Sequence, residues 1–294
     1  MTRTAPNLPL AIGLMLTATA FIGGTMLMAK LLGTQALGPP LHPLQIAQGR
    51  FLFAFATLVT VAAILRPRLG TPRPNLPVHV GRTVFGAGGV TFMFAAVAFI
   101  PMADATAISF LNPVFGMLLA IPFLGERIGR WRWLATVMAL IGAVILLRPG
   151  VGTFQPAALL ALTAALLMGF ELIFIKKLAD REPPFQILLI NNALGLTLTT
   201  IAVLWVWVMP TPAQWGALAA LGAMMAAAQA CFVNAMARAD ASFVTPFSYL
   251  TLIFATLYDL FFFNVLPDVV SGTGAAIIVA GAILLAWREG VNRR

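Results

Sequence analysis

ADATAISFLN at 103–112 and ADASFVTPFS at 239–248 begin two apolar segments in the same way. Each starts with Ala-Asp-Ala and a hydroxyl residue, and each continues into a hydrophobic run. Other segments recur in the same order: PLQIAQGR at 43–50 with PFQILLIN at 184–191, and IGAVILL at 141–147 with AGAILLA at 280–286. The spacing between partners is similar throughout. The sequence therefore predicts a duplication, with units at 1–150 and 151–294.

The composition indicates that lipid surrounds much of the chain. Hydrophobic residues make up 61% and charged residues 9%, against roughly 45–50% and 25% in soluble domains. A membrane span needs about 20 mainly apolar residues. Ten runs meet that need, at 8–32, 41–65, 78–99, 103–122, 131–148, 156–178, 185–209, 213–236, 242–264 and 268–287. Only short loops separate them, so we expect an all-α, multi-pass membrane protein.

The basic residues predict the orientation of these spans. If the first span starts inside, all but three of the 18 Lys and Arg fall on the inner side. The exceptions are Lys30 and Arg148 outside and Arg50 within a span. Cytoplasmic loops carry an excess of Lys and Arg, so we expect both termini to be cytoplasmic.

An odd number of spans in each unit has a topological consequence. Five spans bring the chain to the opposite side, so the second unit is expected to be inverted relative to the first. Inverted repeats of this kind are a transporter architecture. The first apolar run also looks like a signal peptide, but its counterpart inside the second unit favours a retained span.

Several functional classes lack the motifs that they need. The chain has one cysteine, Cys231, and two histidines, His42 and His79. We therefore expect no disulfide framework, metal site or cofactor. HExxH, GxSxG and phosphate-binding loop motifs are absent from the sequence. No basic patch is interleaved with exposed aromatics, so no nucleic-acid partner is expected, and no obligatory protein partner is evident.

The region PMADATAISFLNPVFGMLLAIPFLGERIGRWRWLATVMALIGAVIL at 101–146 resembles the hallmark region of the EamA-type drug/metabolite transporters. A Pro-x-Ala-x-Ala start, a mid-helix proline and a Gly-Glu loop recur in that family. The matching residues are Pro101, Ala103, Ala105, Pro113, Gly125 and Glu126. The second unit departs from this pattern, since Asn264 and Val265 stand at the Gly-Glu position and Tyr249 stands at the proline position.

The resemblance covers the whole chain and implies a fold and a function. It implies ten transmembrane helices in two inverted five-helix repeats, in the bacterial inner membrane. It also implies a substrate pathway lined mainly by the first, third, fourth, sixth, eighth and ninth spans. Relatives of this build export amino acids, so we expect export of an amino acid, aromatic or otherwise neutral, by alternating access. The partners expected are this small molecule and the lipid bilayer.

Rival functions remain open at this point. The same fold could take up a vitamin or a nucleoside-like metabolite. A membrane-embedded enzyme would need catalytic His, Asp or Glu at one face, whereas His42 and His79 fall on opposite sides. A channel would need a ring of like groups from an oligomer.

Two charges lie deep within predicted spans. Arg50 is about 14 Å into the second span at 1.5 Å per residue. Its guanidinium could bind a substrate carboxylate through paired hydrogen bonds, or serve as a structural partner for backbone carbonyls or Glu171. Glu171, in the sixth span, could bind a substrate ammonium or a coupling proton, or pair with Lys176 and Lys177.

A second pair of charges is expected near the outer side. Asp259 in the ninth span matches Lys30 in the first span by depth. They form either a structural ion pair or a site of proton coupling.

Uncharged polar residues also mark the expected pathway. Asn112 precedes Pro113 near the centre of the fourth span, where a proline frees a helix carbonyl. Either a kink or a cavity lining follows from this. Further candidates either line the pathway or hydrogen-bond between helices: Ser109, Gln229, Thr245, Ser248 and Tyr249.

Aromatic and glycine residues of the third span complete the expected set. Phe92 and Phe99 either line the pathway or pack against neighbouring side chains and lipid. Gly88 and Gly89 either allow close helix approach or act as a hinge together with Pro113.

Overall fold

The protein is described by a computed structural model that covers residues 8–65, 74–124, 130–147, 155–179, 181–236, 238 and 245–292. In these ranges the secondary structure is helical and no strand is present. The first half contains α1 (Leu8–Gly33), α2 (Pro43–Leu65), α3 (Leu76–Phe99), α4 (Met102–Ser109), α5 (Asn112–Leu124) and α6 (Arg130–Leu147). The second half contains α7 (Ala158–Ala179), α8 (Pro184–Val203), α9 (Pro212–Met236), α10 (Leu250–Phe263) and α11 (Val269–Asn292). Short 3₁₀ turns occupy Gln35–Leu37 and Thr245–Tyr249.

Each of the ten apolar runs contains helix. Within the described residues, seven helical stretches are long and apolar enough to cross a membrane. One of them, Met102–Phe123, combines α4 with α5. Where the side chains are described, α6, α10 and α11 also carry apolar stretches, at Thr136–Leu147, Phe247–Phe263 and Val269–Gly281.

The fourth run is interrupted, and a 3₁₀ turn precedes the α-helix of the ninth run. α4 ends at Ser109 and α5 begins at Asn112, which places Pro113 in a first helical turn. Proline is tolerated there because the first N–H groups of a helix have no intrahelical partner. In the described part of the ninth run, the 3₁₀ turn Thr245–Tyr249 leads directly into α10. The rings of Phe110 and Tyr249 meet edge to face, with centroids 5.1 Å apart, so the break between α4 and α5 is in contact with this turn.

Asn264 explains how the second half tolerates its departure from the Gly-Glu pattern. It caps α10 with a left-handed backbone at φ 54°. Asparagine is one of the few residues besides glycine that adopts this conformation readily. Its N–H donates to the Leu260 carbonyl at 3.1 Å, so the helix ends in an ordinary capped turn.

Contacts between helix ends define two faces of the bundle. We name the Gly33 face after the end of α1; the starts of α2, α4 and α9 lie there. Gln214 Nε2 donates to the Pro39 carbonyl at 2.7 Å, and Thr211 Oγ1 donates to the Leu37 carbonyl at 3.2 Å. We name the opposite side the His79 face, where the starts of α3 and α8 meet.

A buried ion pair links the two halves at the Gly33 face. Lys30 Nζ of α1 lies 2.8 Å from Asp259 Oδ1 of α10. Asp259 Oδ2 accepts the Ala103 N–H at the start of α4 at 3.0 Å. Asp259 is only 1% exposed, so its charge depends on these two partners.

The two faces are packed to different degrees. At the Gly33 face, a Cβ on Gly33 would lie 3.1 Å from Ala98 Cβ, so α1 and α3 meet closely. Leu32 and Ile46 are fully buried beside this contact. In the duplication α7 and α9 correspond to α1 and α3. Among the described residues, α7 and α9 pack far less against each other than α1 and α3 do. For these corresponding helix pairs, the Gly33 face is therefore the more closely packed one.

α6 and α11 form a close pair joined through glycines. A Cβ on Gly142 would lie 2.7 Å from the Gly274 carbonyl oxygen and 2.9 Å from the Ile278 nitrogen. Small residues at such crossings let helix backbones approach within a bilayer. Neither backbone atom can move aside without separating the helices.

This contact yields a stability prediction. Gly142→Ala is expected to lower the apparent midpoint of thermal unfolding in detergent, because the added methyl group meets backbone atoms. Overpacking of this kind costs about 1–3 kcal/mol. Gly272→Ala on α11 is the matched control, since a Cβ there meets nothing within 4 Å. Equal midpoints for the two variants would contradict the proposed crossing.

The Lys30–Asp259 pair yields a second prediction. Asp259→Asn is expected to destabilise the protein by about 3–5 kcal/mol, because it leaves a buried ammonium without its counter-ion. Thermal unfolding of Lys30→Met/Asp259→Asn checks the cause. The double variant removes both charges, and the side-chain oxygen introduced by Asp259→Asn can still accept the hydrogen bond from the Ala103 N–H. Most of the stability lost in Asp259→Asn should therefore be recovered. A double variant no more stable than Asp259→Asn would show that the charge is not responsible.

Candidate functional site

Three charged side chains converge in the interior: Arg50 of α2, Arg82 of α3 and Glu171 of α7. We call them the arginine–glutamate cluster. Arg82 Nε lies 3.4 Å from Glu171 Oε1, and Arg82 Nη1 donates to the Ile187 carbonyl at 3.2 Å. Arg50 is close enough to Glu171 and Arg82 for electrostatic interaction. Each of the three comes from a different helix, so the cluster exists only in the assembled bundle.

Packing of the neighbouring residues orients Arg50. Gly49 lies against Leu218 of α9, where a Cβ would come within 3.1 Å of Leu218 Cγ. Phe51 is fully buried and its ring covers Gly195 of α8, leaving no room for a Cβ there. Residues 49 and 51 point about 100° to either side of residue 50 on a helix. Arg50 therefore points inward between α8 and α9.

The Arg50 guanidinium is buried and incompletely paired. The residue is 5% exposed, and its Nη1 has no hydrogen-bond partner. Its Cζ lies 4.6 Å from the centroid of the Phe51 ring, which supplies a cation–π contact. Buried charges in proteins are normally paired, and an unpaired one carries a large desolvation cost. An anionic group from a ligand would satisfy this atom.

Glu171 is the member of the cluster that remains reachable. Its side chain is 20% exposed. Gly86 of α3 provides the space, because a Cβ there would lie 2.7 Å from Glu171 Cδ. The contact with Arg82 is an ion pair without hydrogen-bond geometry at Nε. One carboxylate thus faces two guanidinium groups and is bound loosely by one of them.

Uncharged polar groups are also present in the interior on α3, α8 and α9. Thr83 Oγ1 donates to Asn191 Oδ1 at 3.2 Å. Asn192 Oδ1 and Gln229 Oε1 are buried and have no hydrogen-bond partner. Gln229 is one of the residues expected from the sequence. These free acceptors are available to hydrogen-bond donors of a ligand.

The remaining polar candidates of the fourth and ninth runs lie at the break between α4 and α5 and in the 3₁₀ turn before α10. Ser109 is half-buried, and its Oγ donates to the Thr106 carbonyl at 2.7 Å. Asn112 begins α5 and is also half-buried. Ser248 and Tyr249 are half-buried in the 3₁₀ turn. The backbone of Thr245 belongs to that turn, and its side chain lies outside the described part.

The aromatic and glycine candidates of α3 do not join the cluster. Phe92 is 37% exposed and Phe99 is 73% exposed, so both lie at the surface of the bundle. A Cβ on Gly88 would lie 3.3 Å from Leu167, and one on Gly89 would lie 2.8 Å from Met168. Both glycines therefore allow close packing of α3 on α7, and their role as a hinge stays a prediction.

Sequence reasoning missed Arg82. Its position six residues into α3 led to its assignment to the inner side, whereas the structure buries it against Glu171. The ion pair of Glu171 is thus formed with Arg82, where the sequence suggested Arg50 or the lysines at 176 and 177. Arg82 and Gly86 are one helical turn apart and so lie on the same side of α3. This spacing indicates a site for Glu171 only once α7 is known to pack on that side.

Sequence reasoning also missed a polar network at the His79 face. His79 Nε2 lies 2.9 Å from Glu182 Oε2, and Gln186 Nε2 donates to the same oxygen at 3.0 Å. The Asn75 N–H donates to Glu182 Oε1 at 3.0 Å. Burial alone would raise the pKa of the Glu182 carboxyl, but these hydrogen bonds outweigh burial and hold the pKa below its ordinary value.

This network predicts a pH dependence of stability. A carboxyl whose pKa is lowered by folding stabilises the protein above its unfolded pKa, and the contribution is lost as pH falls through the folded pKa. The difference in thermal midpoint between wild type and Glu182→Gln should therefore be largest near neutral pH. It should shrink as the pH is lowered through the ordinary range of a glutamate, about 4.3, and below. A difference that grows on acidification would contradict the network.

No metal site emerges from the described part of the chain, where no group of three or more His, Cys, Asp and Glu side chains is placed to bind an ion. The cluster instead offers two cations, one anion and neighbouring amide oxygens. These groups suit reversible binding of a small polar molecule.

Comparisons with known proteins identify the family of this chain. The profile of the EamA-like transporter family matches residues 9–148 and again 155–287. The S-adenosylmethionine uptake transporter of Rickettsia bellii is 28% identical over 281 residues, covering 95% of this chain and 94% of the relative. The riboflavin transporter of Rhizobium johnstonii is 32% identical over 246 residues, covering 81% and 79%.

Two further comparisons add an exporter and a solved structure. The pseudopaline exporter of Pseudomonas aeruginosa is 27% identical over 239 residues, covering 80% of this chain and 84% of the exporter. A solved crystal structure superposes with a TM-score of 0.61 over 94% of this chain and 98% of the other, at 23% identity. At that identity the superposition supports the fold alone.

Proposed function

The chain belongs to the EamA-like transporter family, and we propose that it carries an amino acid or an amino-acid derivative by alternating access. Family membership makes it a transporter and not an enzyme, and a multi-pass protein of the bacterial inner membrane. Its substrate is a small molecule. The narrower assignment to amino acids rests on the chemistry of the cluster.

The unpaired nitrogen of Arg50 carries this assignment. A guanidinium binds a carboxylate through charge-assisted hydrogen bonds, which are about twice as strong as neutral ones. Every amino acid supplies that carboxylate. The relative that transports S-adenosylmethionine, a methionine derivative, supports the same substrate class.

The proposed membrane topology follows from the distribution of Lys and Arg and from the sequence repeat. We place ten spans in two inverted five-helix units, at 1–150 and 151–294, with both termini in the cytoplasm. The His79 face would then be cytoplasmic, which agrees with Lys177 and Arg238 at the helix ends there. The more closely packed Gly33 face would be the outer one, so the cluster would be reached from the cytoplasm.

The direction of net transport is a separate matter. The names of the relatives include both uptake and export. Export, expected from the resemblance to amino-acid exporters, stays a prediction. Uptake of a vitamin is the second candidate, favoured by the riboflavin transporter at 32% identity.

Counterflow in liposomes tests the substrate class. Purified protein is reconstituted, each unlabelled amino acid in turn is loaded inside, and accumulation of a labelled external amino acid is measured. Saturable accumulation with some amino acids and none with riboflavin is expected. Counterflow with riboflavin alone would overturn the amino-acid assignment and support the vitamin candidate.

The role of Arg50 is tested in the same system. Arg50→Gln removes the charge-assisted hydrogen bonds to the carboxylate, worth about 1.5–3 kcal/mol. The apparent KM for counterflow should therefore rise by roughly 10- to 100-fold. Arg238→Gln is the matched control, because among the described residues the Arg238 side chain bonds to Asn234 near the end of α9. Equal KM values in the two variants would exclude Arg50 as the carboxylate site.

A further inference from the structure

The arginine–glutamate cluster carries an unequal number of charges. Arg50 and Arg82 face one carboxylate, Glu171. α3 supplies Arg82 and α2 supplies Arg50, while Gly169, two residues before Glu171 on α7, meets the backbone of Asn112 and Gly116 of α5. The described part of the cluster therefore has one excess positive charge. The charge of a ligand, as well as its shape, should therefore affect how tightly it binds there.

The geometry divides the cluster into two subsites. Arg50 has an unpartnered Nη1 and forms no ion pair with Glu171. Glu171 is 20% exposed and is bound to Arg82 only by a 3.4 Å ion pair. One cation is thus free to take an anion, and one reachable anion is free to take a cation.

We propose that Glu171 determines the charge of the substrate by binding its ammonium group, while Arg82 holds Glu171 in place. The inference rests on the proposed function and extends it from the carboxylate to the whole ligand. A zwitterion satisfies both subsites and leaves the charge of the cluster unchanged. A dicarboxylate would bring its second negative charge against Glu171, which like-charge repulsion disfavours.

Replacing Glu171 by glutamine should therefore shift the preference of the site from a zwitterion towards a dicarboxylate. In Glu171→Gln two guanidinium groups remain without an opposing carboxylate. Succinate should bind more tightly than in wild type, because each carboxylate then has a guanidinium partner. Methionine should bind more weakly, because its ammonium group has lost its counter-ion.

Ligand-dependent thermal stabilisation of the purified protein measures both effects, since a ligand that binds only the folded state raises the unfolding midpoint. Methionine and succinate are titrated against wild type and Glu171→Gln. The apparent affinity for methionine should fall by roughly 10-fold or more, and that for succinate should rise by a similar factor. A misfolded or loosened site would lose both ligands together, so opposite changes identify the charge effect.

Two further variants sharpen the test. Glu171→Gln/Arg82→Gln leaves Arg50 as the only cation of the cluster, so the gain for succinate should disappear. Asp268→Asn is the matched carboxylate-to-amide control; Asp268 lies at the start of α11 and accepts the Ser271 N–H at 2.8 Å, which an asparagine can also do. Its affinities for both ligands should equal those of wild type.

The outcomes separate the two proposals. Equal methionine affinity in wild type and Glu171→Gln would overturn the role of Glu171 and leave the amino-acid assignment standing. A parallel loss of both ligands would also overturn it. A wild-type protein that shows no stabilisation by methionine, with no effect of Arg50→Gln on any amino-acid counterflow, would overturn the proposed function itself.

Discussion

The burial of the Arg50 guanidinium is the constraint on which the rest of the structure depends. An arginine at the centre of a span costs about 2.5–3.5 kcal/mol on insertion scales, and Arg50 is 5% exposed with one nitrogen unpaired. Helices α8 and α9 nevertheless hold it inward, because Phe51 and Gly49 pack closely on Gly195 and Leu218. The carboxylate of the proposed substrate would supply the partner that this charge lacks.

The other buried charges of the described chain show the contrast. Asp259 receives both the Lys30 ammonium and the Ala103 N–H, so the Gly33 face is joined by a complete set of partners. Glu182 is equally well satisfied at the His79 face. These two sites stabilise helix ends, whereas the arginine–glutamate cluster lies between them with unsatisfied groups. The carboxylates of Asp259 and Glu182 are thus well paired, whereas the Arg50 guanidinium is not, although the buried Nδ1 of His79 also lacks a partner.

Much of the fold could be predicted because its causes are local. Apolar length determined where helices form, and the Asn112–Pro113 pair indicated the interruption between α4 and α5. The depth argument for Lys30 and Asp259 succeeded because both residues lie at the same level of adjacent helices. Arg50 was found for a similar reason, since a charge far inside a span is conspicuous in any sequence.

The contacts that could not be predicted depend on how each helix is rotated about its own axis. The sequence of a membrane-spanning helix contains little information about this rotation. In a soluble protein a polar stripe shows which side of a helix faces water, but lipid and protein interior are both apolar. Arg82 therefore resembled an interfacial charge, although it faces Glu171 in the interior. Phe99 resembled a pathway residue for the same reason, although it is 73% exposed.

The most direct test of the central claim is an experimental structure of the protein with a saturating neutral amino acid that supports counterflow. The account predicts the ligand carboxylate at Arg50, with an oxygen about 2.8 Å from Nη1. An amino acid bound elsewhere, with Arg50 Nη1 still unpaired, would contradict it.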